Sequence, residues 1–130
     1  MKTRTATILA RVLVPLALAA LMGPTAAWAE GDAAAGKKNY DMLCFTCHGM
    51  TGKGDGPAGG ALVPKPRDFS VGDFKIDADK DGKAGSDADL GMVIKNGAGA
   101  YGGSMLMSPW SHLSDADIAN LVAYVRSLKE

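Results

Sequence analysis

Three stretches of the chain place apolar residues at the three- and four-residue intervals of a helix face. The clearest lies late in the sequence, where Ile118, Leu121, Val122, Val125 and Leu128 form one stripe. Ser114 stands at its N-cap, and Asp117 three residues later completes a capping box. Leu113 and Ile118 have the spacing of a hydrophobic staple. A second helix is expected to begin at Ser86, which with Asp89 repeats the capping pattern. Its face is Leu90, Val93 and Ile94, and Gly97 fits its C-terminal stop. A third runs from about Ala33 to Cys44 behind Asp32 as N-cap, with Gly36, Tyr40 and Leu43 or Cys44 on one side.

Between these helices the pattern vanishes. Residues 49–75 hold seven glycines and three prolines without any period, and residues 97–111 behave alike. Loops of that length are uncommon inside a compact domain unless they serve a function. No run alternates strongly enough to predict a strand, so the fold class is all-α.

The start of the chain reads differently. Lys2, Arg4 and Arg11 precede an apolar run from Val12 to Met22, Gly23-Pro24 breaks it, and Ala27-Trp28-Ala29 offers small residues at a cleavage site. This plan predicts a secretory signal peptide over 1–29, with one domain over 30–130. The apolar run is short of the roughly 20 residues a membrane span needs, so no stable membrane insertion is expected after cleavage, and the compartment expected is the periplasm.

The same boundary changes the charge. The whole chain has 14 basic and 14 acidic side chains, and the signal segment takes three basic ones and no acidic one. A mildly acidic domain remains, which argues against nucleic acid as a partner. So small a domain often needs a cofactor, metal or disulfide to complete its core.

Both cysteines fall in Cys44-Phe45-Thr46-Cys47-His48, the Cys-x-x-Cys-His attachment pattern for haem. On a helix the two thiols share a face and can reach one edge of a porphyrin, while His48 supplies the iron's proximal ligand. Two other readings fit less well. A thioredoxin-like pair would follow a strand and open a helix, and a zinc site would need four ligands where only His112 remains.

With these residues in view, the chain resembles the small bacterial class I c-type cytochromes over essentially the whole of 30–130. Three blocks carry the likeness: Gly36…Tyr40…Cys44-Phe45-Thr46-Cys47-His48-Gly49, Gly54-Asp55-Gly56-Pro57, and Met107-Ser108-Pro109-Trp110 with the capped helix after it. The resemblance implies a cytochrome c fold of three or more short helices, with Gly/Pro-rich loops around one covalent haem c. It also implies crossing first and last helices, where Gly36 and Tyr40 meet Leu121 and Tyr124. Met107 becomes the distal ligand, favoured over Met105 because it stands first in Met-x-Pro-Trp and close to the anchor of the capped helix. Pro57 becomes the carbonyl acceptor for the His48 Nδ1–H, with Pro64 as substitute. Trp110 is expected at the haem edge, with ordinary core packing as its other reading, and Arg67 is expected in solvent, with pairing to a propionate as its other reading.

The function implied is single-electron transfer between redox partner proteins, without catalysis. The alternatives are a haem subunit of a periplasmic dehydrogenase and a haem with an open sixth position. His112, just before a helix start, is expected as a solvent-exposed neighbour of the cap, a second axial ligand in a bis-His haem being its other reading. Met42, Met50 and Met92 are expected to fill gaps. Lys37, Lys38, Lys53, Lys65 and Lys95 are expected on a solvated surface, steering an acidic partner being the other reading. Asp77–Asp81 begins like a calcium loop, but position 12 is Ala88. A calcium ion at Asp77–Asp81 and a polar turn are both open on the sequence.

Overall fold

The computed structural model describes residues 30–130, and the expected signal segment 1–29 lies outside them. Four helices follow one another: α1 (Ala33–Leu43), α2 (Phe45–His48), α3 (Asp87–Asn96) and α4 (Asp115–Ser127). Short 3-10 turns occupy Gly59–Ala61 and Ala98–Tyr101, and the described residues contain no strand.

Local chemistry sets the helix starts. Asp32 caps α1 by accepting from the backbone N–H groups of Ala34 and Ala35. Ser86 and Asp89 form a reciprocal capping box at α3. At α4 the Ser114 hydroxyl accepts from the Asp117 N–H, and the two side chains also bond each other at 2.6 Å. The other Asp117 oxygen takes the Asn39 amide at 3.2 Å, so this cap also ties α4 to α1.

The expected stripes are the core. Tyr40, Leu90, Ile94, Ile118, Leu121, Val122, Tyr124 and Val125 form one buried cluster, while Leu128 and Leu113 pack against it half-buried. The α1–α4 crossing depends on one missing methyl group. A Cβ on Gly36 would sit 1.9 Å from the Asn120 carbonyl oxygen, so only glycine lets the helices meet there. Beside it, Tyr40 and Tyr124 pack edge to face with centroids 4.9 Å apart. Arg126 joins α4 to the start of α3 through Asp87 at 2.8 Å and the Gly85 carbonyl.

The first helix ends where expected: Cys44 is its C-cap at φ −112°, and α2 starts at Phe45. One expectation changes. Met42 and Met50 are mostly exposed rather than gap-filling.

Candidate functional site

The break at Cys44 shapes the site. Cys47 N–H and His48 N–H both turn back to the Cys44 carbonyl, at 3.2 and 2.9 Å, so Cys44, Cys47 and His48 stay on one tight turn. The glycine-rich loop then folds over the outside of α2. Gly56 N–H donates to Cys47 O and Ala58 N–H to Thr46 O. A side chain on Gly56 would meet the Phe45 carbonyl oxygen at 2.4 Å, so a bare backbone is needed for that approach.

On its other side the motif opens onto a cavity of about 960 Å³. Cys44, Cys47 and His48 line it together with Phe69, Phe74, Leu90, Val93, Ile94, Met107 and Trp110. The walls thus come from α2, the extended stretch 62–69, α3 and the loop before α4. Trp110 is tied there through its backbone N–H, which donates to the Ile94 carbonyl at 3.0 Å.

His48 Nδ1 lies 3.2 Å from the Arg67 carbonyl oxygen. A carbonyl can only accept, so Nδ1 carries the proton and the Nε2 lone pair is left for a metal. Burial holds His48 below its ordinary pKa against the opposing pull of that carbonyl, which keeps the ring neutral at pH 7. The Phe69 ring stacks on the imidazole, with centroids 4.4 Å apart and planes 17° from parallel.

The acceptor corrects the expectation for Pro57, and for its substitute Pro64. Pro57 is exposed and absent from the cavity wall, because the Gly56–Ala58 turn is spent bonding the α2 backbone. The stretch 66–69 takes its place beside the histidine. Neither Arg67 as acceptor nor Phe69 as stacking partner carried a sequence signal. A backbone acceptor leaves no mark on residue type, and the approach depends on how a long loop returns.

Of the two methionines, Met107 is half-buried against the core while Met105 is 83% exposed, although both line the cavity. His112 is exposed and outside the cavity, edge-on to Trp110 at 5.8 Å. Burial, and then the neighbouring Cys47, push the Cys44 thiol up to about 12. A thioredoxin-type nucleophile requires the opposite shift.

The chemistry of these groups fits a haem. Two thiols, an imidazole and a thioether border one largely apolar cavity, the donor set that anchors and ligates haem iron.

The acidic loop does not support calcium. Carboxylate oxygens of Asp77, Asp79 and Asp89 lie within 4.8 Å of one another. Asp89, however, accepts from the N–H groups of Ala78, Asp79 and Ser86 and from the Ser86 hydroxyl. Asp77 accepts from the N–H groups of Asp81 and Gly82. The loop's own donors occupy these carboxylates, as a polar turn requires.

Residues 33–129 match the Cytochrome c family, to which the chain belongs. Over 99 residues it is 35% identical to cytochrome c-554(547) of Halothiobacillus neapolitanus, covering 76% of this chain and 99% of that protein. A solved chain of the Kuenenia stuttgartiensis reducing HAO-like protein complex superposes with a TM-score of 0.64 at 31% identity. That match covers 77% of this chain, which spans only 44% of the solved one. Family membership implies a covalently bound haem c and makes the chain a haem electron-transfer protein, a carrier rather than an enzyme.

Proposed function

We propose that the protein is a periplasmic electron shuttle, with Cys44 and Cys47 as thioether anchors and His48 and Met107 as axial ligands. When bound, haem supplies a one-electron ferric/ferrous couple. The observation that carries the reading is the cavity wall shared by the Cys44–His48 turn and half-buried Met107. His48 presents a neutral ring whose Nδ1 proton is held by Arg67 O, leaving Nε2 to ligate. Phe74, Leu90, Val93 and Ile94 exclude water from that wall, which favours the less charged ferrous state. Trp110 narrows the cavity from the α3 side.

The export reading rests on the basic, apolar and small-residue plan of residues 1–29. No helix among the described residues is long and apolar enough to cross a membrane. Spectra of both oxidation states with a redox titration test the assignment. A low-spin haem indifferent to carbon monoxide when reduced is expected, and a readily formed carbon monoxide adduct would show an open sixth position instead.

One observation favours a second reading, a dedicated subunit of a larger redox assembly. The superposed domain in the Kuenenia complex is part of a chain more than twice the matched length. Copurification from the native periplasm separates the two: a shuttle elutes alone, a subunit with a constant partner.

A further inference from the structure

We infer that Phe69 is the positioning residue of His48: its ring sets the plane of the imidazole, with the Arg67 carbonyl holding one corner. The inference rests on the proposed ligation by His48. A single hydrogen bond at Nδ1 fixes one atom of the ring but leaves it free to rock about that atom. The flat contact with Phe69, 4.4 Å away and 17° from parallel, removes this motion.

Phe69 can do so because it is itself held firmly. Its N–H donates to the Gly52 carbonyl at 2.7 Å, which ties it to the turn just beyond His48. That turn leaves no room between them, since a Cβ on Gly52 would lie 3.1 Å from Phe69 Cδ2. Asp68 accepts from both the N–H and the hydroxyl of Ser70, at 2.9 and 2.7 Å, and Gly72 N–H returns to Phe69 O at 3.0 Å. Phe74 backs the ring from 5.9 Å. Histidine and clamp thus belong to one piece of chain bent back on itself, with Phe69 and Phe74 packed against the helical core.

If Phe69 were only core filling, losing its aromatic face would lower stability and leave the ligand plane alone. The holoprotein distinguishes these by NMR. Two signals are read: solvent exchange of the His48 Nδ1 proton in the ferrous state, and the spread of haem methyl shifts in the ferric state, which reports the ligand plane. Phe69→Leu is expected to speed exchange about three- to tenfold, the range for losing one aromatic contact, and to change the methyl spread. Phe69→Tyr should restore both signals. Val122→Ala, buried in the core but outside the cavity wall, should lower the melting temperature without moving either.

The inference is overturned if a folded Phe69→Leu protein, with its methionine–iron band intact, keeps wild-type exchange and methyl spread. It is equally overturned if Val122→Ala moves both as much. A wild-type holoprotein without a histidine-ligated low-spin spectrum would sink the ligand assignment itself, a separate and recognisable result.

Discussion

The Tyr40 hydroxyl donates to the Gly49 carbonyl at 2.8 Å, so a fully buried residue of the α1–α4 crossing holds the peptide that follows His48. The crossing and the Cys44–His48 turn are therefore one mechanical unit.

Removing only that hydroxyl tests the link. Tyr40→Phe keeps the ring against Tyr124 but leaves the Gly49 carbonyl only the longer bond from the Gly52 N–H, at 3.3 Å, at an expected cost of about 1 kcal/mol. Denaturant unfolding of the holoprotein measures it. A loss well under about 0.5 kcal/mol would mean water replaces the bond.

Gly36→Ala tests the helix approach. Its new methyl would overlap the Asn120 backbone, forcing α1 and α4 apart. Overpacking of this kind costs about 3 kcal/mol. A thermal melt should show it, and an unshifted midpoint would contradict the geometry.

The methionine assignment turns on exposure. Met107→Ala should abolish the weak near-infrared band of iron–sulfur ligation, lower the potential and admit carbon monoxide. Met105→Ala, at a position already facing solvent, should change none of these. The reverse pattern would transfer the ligand to Met105.

Asp89 gives a pH signature. The carboxylate is 1% exposed. Burial pushes its pKa up, but the Ser86 hydroxyl and the N–H groups of Ser86, Ala78 and Asp79 outweigh this and hold it below its ordinary 3.8. Its stabilising contribution is therefore complete above 3.8 and lost as pH falls through the lower folded-state value. Asp89→Asn, which turns an amide donor toward N–H groups, should cost about 2–3 kcal/mol at pH 7. The stabilities of variant and wild type should converge in acid. A gap that stays constant with pH would show that the charge is immaterial.

Covalent attachment has its own test. Acid extraction should leave haem on the polypeptide, and Cys47→Ala should be poorly matured. Haem released freely from the wild type would refute thioether attachment.

What the sequence disclosed was mostly local. Asp32, Ser86 and Ser114 announced the helix starts because capping is decided within three residues, and the Ile118–Val125 stripe announced the core because burial imposes a period. The attachment motif was legible for the same reason. The partners of His48 were not: a carbonyl at Arg67 and a ring at Phe69 reach it across some twenty residues of aperiodic loop, and Pro57 was put forward by the resemblance alone. The aspartates at 77–81 left calcium and a polar turn both open, since turn-forming and ion-binding carboxylates look alike until their donors are known.

The acidic loop has a practical consequence. Its neck is closed twice, by the Gly85 N–H bond to the Ile76 carbonyl at 3.0 Å and by Asp89 gripping Ala78 and Asp79. Residues 79–84 beyond that neck are all exposed. The loop is thus a handle: a foreign peptide spliced between Lys83 and Ala84 would hang from a closed collar, where each doubling of loop length costs only about 0.6 kcal/mol. An electrode-binding or affinity sequence could be carried there, mooring the protein to a surface by a segment that contributes nothing to its redox centre.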